Sequence, residues 1–234
     1  KQKNMMNKIE KVLIIGANGS IGQMLSKKLA ETGNYKPTAF IRKESQKETF
    51  DKMGVPTLVA NLEDSVENLK KQFNGFDCVV FTAGSGGSSG AEKTLAIDLD
   101  GAVRSMEAAE GANISRFIMV SASHSDDRDF WDKAEGMKPY YVAKHYADEM
   151  LRHSSLDYTI LRPVMLTDDE GSGKIMASFN PEEMNKKISR ADVATVILNV
   201  IGMPHSIKQT IELSSGEMSV QAALEKILEP EMVS

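Results

Sequence analysis

Short apolar, β-branched runs alternate along the chain with longer segments in which apolar residues recur at helical spacing. Each short run predicts a buried strand, and each longer segment predicts a helix that covers a sheet. The predicted strands are 12–15, 38–41, 57–60, 78–82, 116–121, 158–161 and 210–213. A first predicted helix ends at Gly33, and the others span 44–53, 64–73, 91–110, 139–153, 191–202 and 219–228. This alternation predicts an α/β fold, a doubly wound parallel sheet of about seven strands with helices on both faces.

One domain is predicted for residues 1–234, because no repeat, low-complexity tail or linker divides the chain. The glycine- and serine-rich stretch 84–90 has the composition of a linker. However, it directly follows a predicted strand, where folds of this class place ligand loops. Only residues 164–189 separate the sixth strand from the next helix, and they predict a short substrate-covering segment that forms a small C-terminal lobe.

Composition and charge exclude several classes of protein. The chain has 234 residues, of which 41% are hydrophobic and 26% charged, as in ordinary soluble domains. Its formal net charge of -5 argues against a nucleic-acid partner, which would favour a basic face. Cys78 is the single cysteine, so no intramolecular disulfide can form, and we expect a cytoplasmic protein. The first ten residues are polar and no run approaches the ~18 apolar residues of a membrane helix, so neither a signal peptide nor an anchor is expected.

The first strand runs directly into a glycine-rich turn and then into an amphipathic helix, in the segment KVLIIGANGSIG. Its glycines, Gly16, Gly19 and Gly22, suit a tight turn, a close approach of backbone to a diphosphate, and packing of helix on strand. The diphosphate of a dinucleotide would lie against the free N–H groups at the positive end of the helix. A tight turn without a ligand is the alternative interpretation. The predicted cofactor loop also includes Asn18, Ser20 and Ile21.

The end of the second strand carries two cations, Arg42 and Lys43, about 20 residues beyond the glycine loop. An enzyme that uses NAD presents an acid there to the ribose 2′-hydroxyl, whereas an arginine can grip the 2′-phosphate of NADP bidentately. The sequence therefore favours NADP as the cofactor, and Glu44 keeps NAD possible. Two solvated cations at a strand end are the alternative interpretation.

Tyr140 and Lys144 stand four residues apart in KPYYVAKHYADEML, so both side chains lie on one face of the predicted helix. A phenol with a pKa near 10 is a poor acid or base at neutral pH. An adjacent ammonium and a positively charged nicotinamide are expected to lower that pKa, which makes Tyr140 a usable proton donor and acceptor. Lys144 can also bind the nicotinamide ribose. The preceding strand ends in Ser121 and Ser123, and a serine there would hold the substrate oxygen.

The GxxGxxG spacing and the Ser, Tyr and Lys constellation resemble the extended and atypical branches of the short-chain dehydrogenase/reductase superfamily. The likeness covers nearly the whole chain. It is most specific to small NAD(P)H-binding proteins of the atypical branch, such as NmrA-like and biliverdin reductase B-like proteins. It implies a Rossmann-like fold and a catalytic set of Ser123, Tyr140 and Lys144, with Ser121 as the alternative serine. Many relatives in that branch lack the Tyr and Lys pair, so its presence points towards chemistry rather than sensing alone.

The resemblance also implies further contacts with the cofactor. Asn61 and Leu62 stand where members of the superfamily carry an acid–leucine pair beside the adenine, and Asn61 replaces the acid. Ala83 and Gly84 match the end of the fourth strand, whose backbone flanks the adenine ribose. Pro163 closes the Leu-Arg-Pro strand end, after which the backbone passes the nicotinamide.

These features predict an NADP-dependent oxidoreductase that transfers hydride between the nicotinamide and a small carbonyl or alcohol substrate. One alternative is a redox-sensing regulatory module that binds the cofactor without turnover, and another is an NAD-dependent epimerase or isomerase that returns its hydride. Sugar-nucleotide epimerases of the superfamily carry a substantial C-terminal substrate domain, for which 164–189 is too short. A small substrate, or a flat one lying over the cofactor, fits better. The helix at 91–110 could form a homodimer face, although no apolar stripe demands one.

Other residues with possible chemistry receive no role from the sequence. The four histidines lack the spacing of a metal site. His124 is expected in a solvated loop, and the alternative is that it lines the mouth of the substrate site, because it follows Ser123. Cys78 is expected to be a small buried hydrophobe in a core strand. Trp131 is expected in a loop that can cover a substrate.

Overall fold

The computed structural model describes residues 9–85 and 90–229. Most of the polar first ten residues, the centre of the glycine- and serine-rich stretch (86–89) and residues 230–234 lie outside the described part. The described chain forms a nine-stranded sheet and a two-stranded sheet, flanked by helices. The strands are β1 (Lys11–Ile15), β2 (Lys36–Ile41), β3 (Thr57–Val59), β4 (Cys78–Phe81), β5 (Arg116–Val120), β6 (Asp157–Pro163), β7 (Met165–Thr167), β8 (Lys174–Ser178), β9 (Lys187–Ser189), β10 (Gln209–Ser215) and β11 (Met218–Ser219).

Seven strands of the large sheet run parallel, in the order β3-β2-β1-β4-β5-β6-β10. They are the seven that the apolar runs predict, with ends that differ by about two residues at most. At one edge, β8 pairs antiparallel with β10, and β11 pairs antiparallel with β8. The strand order reverses between β1 and β4, and open α/β sheets bind ligands beyond the carboxyl ends of strands at such a point.

The helices are α1 (Ser20–Thr32), α2 (Lys47–Asp51), α3 (Val66–Phe73), α4 (Gly90–Lys93), α5 (Ala102–Gly111), α6 (Arg128–Lys133), α7 (Lys138–His153), α8 (Arg190–Ile201) and α9 (Val220–Leu228). The single helix expected at 91–110 is instead α4, a π-helical segment Thr94–Gly101 and α5. Such π-helical turns are frequent at functional sites. The helix expected at 44–53 is a short 3-10 turn, Glu44–Gln46, followed by α2. None of the described helices is long and apolar enough to cross a membrane.

Helices cover both faces of the large sheet, as the sequence predicts. Side chains alternate along β1, so Val12 and Ile14 belong to one core and Leu13 and Ile15 to the other. The first core takes apolar residues from α1, α8 and α9, and the second takes them from α3, α5 and α7. Cys78 is fully buried in the first core, as expected. Because both faces are covered, the central strands β1 and β4 are almost entirely apolar.

Residues 164–189 lie at the carboxyl end of β6, and short strands hold them together. β7 and β9 pair in parallel as the two-stranded sheet, and β8 joins the large sheet through β10. Neither these three strands nor β11 is predicted from the sequence. The longest of the four, β8, has five residues, and the others are too short to show a period.

Candidate functional site

The loop between β1 and α1 is packed so closely that two of its three glycines have no room for a side chain. Gly16 has a φ of +80°, and a Cβ there would lie 2.4 Å from the backbone N of Ala83. A Cβ on Gly22 would lie 2.5 Å from the carbonyl O of Gly16. The N–H of Gly19 donates to the same carbonyl at 3.0 Å. The loop is therefore fixed between the chain that follows β4 and the start of α1.

The first turn of α1 presents backbone N–H groups that no side chain caps. Gly19 is the N-cap of the helix, and no acid lies in the first turn. Ser20, Ile21 and Gly22 line the adjoining cleft. Unpaired N–H groups and the helix dipole together favour an anion at this position. The loop therefore fits the diphosphate of a dinucleotide.

A cleft of about 840 Å³ lies at the carboxyl ends of the parallel strands, where the strand order reverses. Cofactor and small-molecule sites commonly enclose ~300–1,000 Å³. The predicted site residues that line it are Gly19, Ser20, Ile21, Gly22, Ala83, Gly84, Ser123, Tyr140, Lys144 and Pro163. Those that do not line it are Gly16, Asn18, Arg42, Lys43, Asn61 and Leu62. One cleft thus unites the glycine loop with the Ser, Tyr and Lys constellation.

Arg42 and Lys43 lie at the same edge of the sheet as the glycine loop, because they follow β2, which pairs in parallel with β1. Their backbone N–H groups donate to Oε1 of Gln46, at 2.9 and 3.0 Å, which fixes the turn. Both side chains are exposed, and neither forms an ion pair with a carboxylate in residues 9–85 or 90–229. Two such cations beside the loop suit a phosphate group of the cofactor.

The remaining predicted cofactor residues outside the cleft have local structural roles. Leu62 is buried in the second core, whereas Asn61 is exposed and its Oδ1 accepts the backbone N–H of Glu63 at 3.1 Å. Asn18 is exposed, and its carbonyl O accepts from Nε2 of Gln23 at 2.8 Å. Both asparagines therefore make local contacts within their own segments, and neither lines the cleft.

Tyr140 and Lys144 lie on the side of α7 that faces the cleft. They are therefore not a pair of surface residues that face solvent. Pro139 lies in the first turn of α7, where its missing N–H breaks no helical hydrogen bond. Nζ of Lys144 lies 5.6 Å from the centroid of the Tyr140 ring. Lys144 is almost completely buried, and Tyr140 is half-buried.

Asp98, in the π-helical segment, is a site residue that sequence patterns do not identify. Its Oδ1 lies 3.1 Å from Nζ of Lys144, and both side chains are almost completely buried. Its Oδ2 accepts the backbone N–H of Ser85 at 2.9 Å. Lys144 also donates to the carbonyl O of Val120 at 3.4 Å, which leaves one of its three N–H groups for a ligand. An acid inside the otherwise apolar segment 95–99 is the signal that could have identified it.

Lys144 lowers the pKa of Tyr140 as the sequence predicts, but the chain's own groups together raise it above its ordinary value. Burial raises this pKa, the ammonium of Lys144 lowers it, and the carboxyls of Asp98 and Asp148 raise it again. Burial also lowers the pKa of Lys144, but the negative charges around it outweigh burial and raise that pKa overall. Among the chain's own groups, Tyr140 is therefore a neutral phenol beside a charged ammonium.

Ser121 and Ser123 follow β5 and both line the cleft, so both stay candidates for the catalytic serine. The N–H of Ser121 donates to the carbonyl O of Leu161 at 2.7 Å, and that of Ser123 donates to Pro163 at 3.0 Å. Within the described part of the chain, neither buried hydroxyl makes a hydrogen bond of good geometry. The Ser121 hydroxyl lies beside the carboxyl of Asp148 and the Ser123 hydroxyl beside that of Glu212, so each is close to a buried acid as well as to the cleft.

A layer of charge centred on Arg162, buried except at Asp126, lies behind the two serines. Its guanidinium pairs with Asp148 at 2.7 Å, Asp126 at 2.8 Å and Glu212 at 3.6 Å. Burial raises the pKa of Asp148 and that of Glu212, although Arg162 acts in the opposite direction on both. Removing one partner of a buried pair leaves an uncompensated charge. The layer therefore holds β6, β10 and α7 in register beneath the cleft.

His124 and Trp131 make more packing contacts than the sequence suggests for loop residues. His124 lines the cleft with a φ of +60°, and its ring stacks on Phe130 with the centroids 4.3 Å apart. Trp131, expected in a loop, is buried in α6 and donates from Nε1 to the carbonyl O of His124 at 2.9 Å. Asp127 caps α6, and its ligand atoms and those of His124 and Glu182 lie within 4.8 Å of one another. Sequence spacing does not reveal this group, because Glu182 comes from the small lobe.

Residues 164–190 form the outer wall of the cleft. Its apolar side chains are those of Val164, Met165, Leu166, Pro181 and Met184. Lys186 and Arg190 add two cations to the wall, and Asn185 lies beside them. Arg190 pairs with the exposed Asp168 at 2.8 Å, whereas Lys186 pairs with no carboxylate that the structure describes. Of the charged residues that line the cleft, Lys144, Lys186 and Arg190 are cationic and Asp98 is anionic. The lining is therefore cationic, although the chain has a net charge of -5.

Comparisons with known proteins agree with the geometry. A family described as NAD(P)H-binding matches residues 16–204, which include every residue of the cleft. YhfK of Bacillus subtilis, an uncharacterized sugar epimerase, is 43% identical over 217 residues, which cover 93% of this chain and 100% of that protein. These matches confirm the resemblance that the motifs indicate.

Two solved structures have the same fold. A Bacillus halodurans protein, provisionally named an NAD-dependent epimerase/dehydratase, is 38% identical with a TM-score of 0.85, over 93% of this chain and 100% of that one. The oxidoreductase ylbE of Lactococcus lactis is 34% identical with a TM-score of 0.82, over 96% of this chain and 99% of that one. The fold is Rossmann-like, and such relatives are named as oxidoreductases and as epimerases.

Proposed function

The chain belongs to the NAD(P)H-binding family, and on that premise we propose that it is an NADP-dependent oxidoreductase of small carbonyl or alcohol substrates. The observation that carries this proposal is the continuity of one cleft. It runs from the uncapped first turn of α1 to Ser123, Tyr140 and Lys144. A dinucleotide held at the loop can therefore meet a substrate held by the serine and the phenol.

Each of the three residues has a distinct part in this chemistry. A bound nicotinamide supplies or accepts a hydride at C4, which interconverts a carbonyl and an alcohol. Tyr140 donates its proton to the substrate oxygen when the carbonyl carbon is reduced, and it takes that proton back in the reverse direction. Ser123, with Ser121 as the alternative, donates a hydrogen bond to the same oxygen. Lys144 offers its remaining N–H to the ribose of the cofactor.

Turnover of anionic carbonyl substrates is the expected result that tests this function. The outer wall carries Lys186 and Arg190 among apolar side chains, so a substrate with an apolar body and a carboxylate or phosphate fits it best. NADPH oxidation is followed by absorbance across a panel of keto acids, their neutral methyl esters and quinones. We expect oxidation of NADPH and a lower KM for each acid than for its ester. Tight NADPH binding without any turnover would favour a sensing module instead.

Lys187 provides a matched control for the charge at the wall. It follows Lys186 directly but pairs with Asp169 at 3.3 Å and does not line the cleft. Lys186→Ala is expected to raise the KM for the acids by about fivefold, as for a partly exposed charge pair, and to leave the esters unaffected. Lys187→Ala should change neither. Equal effects of both substitutions would contradict an anionic subsite at this wall.

Arg42→Ala is expected to weaken NADPH binding by about tenfold to a hundredfold while the affinity for NADH is unchanged. The physical reason is that only NADPH carries the 2′-phosphate, and the unpaired guanidinium at the end of β2 is proposed to bind it. Dissociation constants for the two nucleotides are measured by the fluorescence of the bound reduced nicotinamide.

The matched control for Arg42 is Lys36, an exposed cation at the opposite end of the same strand, paired with Glu10 at 3.4 Å. Lys36→Ala should alter neither affinity. A wild-type protein that prefers NADH, or an Arg42→Ala variant with unchanged selectivity, would overturn the assignment of NADP.

A second candidate function, epimerisation, is favoured by the name of YhfK, the relative with 43% identity. An epimerase returns its hydride to the substrate, so it shows no net oxidation of cofactor. The cleft wall argues for a smaller ligand than a sugar nucleotide, because residues 164–189 form only short strands and one turn there. Isomerisation of a sugar without any change in nicotinamide absorbance would support this candidate over the first.

A further inference from the structure

We propose that Asp98 is a positioning residue that neutralises Lys144 and thereby keeps Tyr140 protonated, so that the site is set to reduce carbonyls rather than to oxidise alcohols. This inference rests on the proposed function, since it names the direction in which the same three residues work best. Asp98 lines the same cleft, and its charge acts on Tyr140 both directly and by offsetting that of Lys144.

The geometry gives Asp98 little freedom. Its side chain is 1% exposed and that of Lys144 is 6% exposed, and Oδ1 lies 3.1 Å from Nζ. Its other oxygen, Oδ2, is held by the N–H of Ser85 at 2.9 Å. A Cβ added at Gly84 would lie 3.2 Å from Oδ1, so the chain after β4 closes over the carboxylate. The ion pair is therefore fixed in place and largely shielded from water.

The ion pair changes the field at the phenol. Four titratable groups act on Tyr140 or lie against it: Lys144 and Asp148 on α7, the ring of its neighbour Tyr141, and Asp98 on the π-helical segment. Lys144 alone would lower the pKa of Tyr140 and favour the phenolate. With Asp98 beside it the ammonium is offset, and burial then raises that pKa. The phenol stays neutral at physiological pH.

A neutral phenol suits one direction of the reaction. In reduction the carbonyl carbon receives a hydride, which brings two electrons, and the carbonyl oxygen receives the proton of Tyr140 O–H. NADPH becomes NADP⁺, the carbonyl becomes an alcohol, and solvent returns a proton to the phenolate. In oxidation the phenolate must already exist as the base, and Asp98 disfavours that form. A lysine in this position without an acid beside it would favour both directions more equally.

Asp98→Asn is expected to lower the midpoint of Tyr140 ionisation by about one pH unit, because it removes the charge that offsets Lys144. The measurement is the near-ultraviolet absorbance of tyrosinate across a pH titration of the protein without cofactor. Subtracting the curve of the Asp98→Asn, Tyr140→Phe double variant isolates Tyr140. The alkaline limb of the reduction rate should move to lower pH together with this midpoint, and alcohol oxidation near neutral pH should rise.

Two controls separate charge from fold. Asp98→Glu keeps the charge and should restore the wild-type midpoint. Asp100→Asn removes an acid two residues away that is exposed and paired with Arg104 at 2.6 Å, so it should change nothing. An unchanged midpoint in Asp98→Asn, or an equal fall in Asp100→Asn, would overturn the inference.

A double variant keeps the proposal testable even where Asp98→Asn alone does not fold. Asp98→Asn with Lys144→Gln removes both charges of the buried pair and leaves no lone charge in the core. The proposal holds that the two charges of the pair cancel at the position of Tyr140. The midpoint of Tyr140 ionisation in the double variant should therefore stay close to that of the wild type, and a large change would refute the inference. A lowered midpoint in Asp98→Asn, in a protein that reduces no carbonyl, would uphold the role of Asp98 and refute the oxidoreductase function.

Discussion

Tyr140→Phe is expected to lower kcat by about a hundredfold to ten-thousandfold and to leave the affinity for NADPH unchanged. The variant keeps the aromatic ring in the cleft but removes the O–H that is proposed to donate the proton to the substrate oxygen. Lys144 stays paired with Asp98 at 3.1 Å, so its N–H for the cofactor ribose is preserved. Steady-state kinetics with the best carbonyl substrate give kcat, and fluorescence of the bound nicotinamide gives the affinity.

The neighbouring Tyr141 is the matched control for this experiment. It lines the same cleft, its ring centroid lies 5.4 Å from that of Tyr140, and burial raises the pKa of its phenol as well. It has no lysine four residues further along the helix. Tyr141→Phe should therefore retain most of the activity. Turnover by Tyr140→Phe at the wild-type rate would remove the phenol from the mechanism, and equal losses in both variants would indicate that either substitution merely disturbs the cleft.

The fold could be predicted from the sequence because its strongest signals are local. A parallel strand covered on both faces is apolar at most positions, so runs such as 12–15 and 78–82 are conspicuous. The spacing of Gly16, Gly19 and Gly22 predicts the turn because packing leaves no room for a side chain at two of the three positions. The helical spacing of apolar residues then predicts a helix between each pair of successive strands. Because crossovers between parallel strands are right-handed, few topologies remain possible.

The electrostatics of the site could not be predicted in the same way. The ion pair joins Asp98 and Lys144, which lie far apart in the sequence. Asp98 also lies in a π-helical segment, which interrupts the regular helix that the sequence predicts there. Spacing within α7 shows Lys144 beside Tyr140 but not the acid that offsets its charge. The lowering of the pKa of Tyr140 by Lys144 is therefore predictable, whereas the larger opposing effect of burial, aided by Asp98 and Asp148, is not.

The sequence predicts that 164–189 covers the substrate, but it does not predict the strands of this wall or which of its side chains line the cleft. Strands as short as β7, β9 and β11 have no period of their own, and only pairing with distant residues defines them. Lys186 and Lys187 look alike in the sequence, yet only the first lines the cleft. The tertiary position of the lobe decides which lysine can meet a substrate.

Gly16→Ala is expected to destabilise the protein by about 2–5 kcal/mol and to abolish its stabilisation by NADPH. Two costs add at this position. The φ of +80° is strained for any residue with a side chain, and the new Cβ would lie 2.4 Å from the backbone N of Ala83. The second cost can be relieved only by moving the glycine loop away from the chain that follows β4. Since both segments line the proposed cofactor site, the movement separates groups that must hold the dinucleotide together.

Gly33→Ala distinguishes these two costs, because Gly33 has a φ of +67° and nothing within 4 Å of the position of a Cβ. It ends the same helix that the glycine loop begins. This control should lose only about 1–2 kcal/mol from backbone strain and should still gain thermal stability from NADPH by mass action. Thermal and urea unfolding with and without NADPH measure both quantities. Equal destabilisation of the two variants, each with an intact response to NADPH, would mean that the close approach of Gly16 to Ala83 is not what shapes the cofactor site.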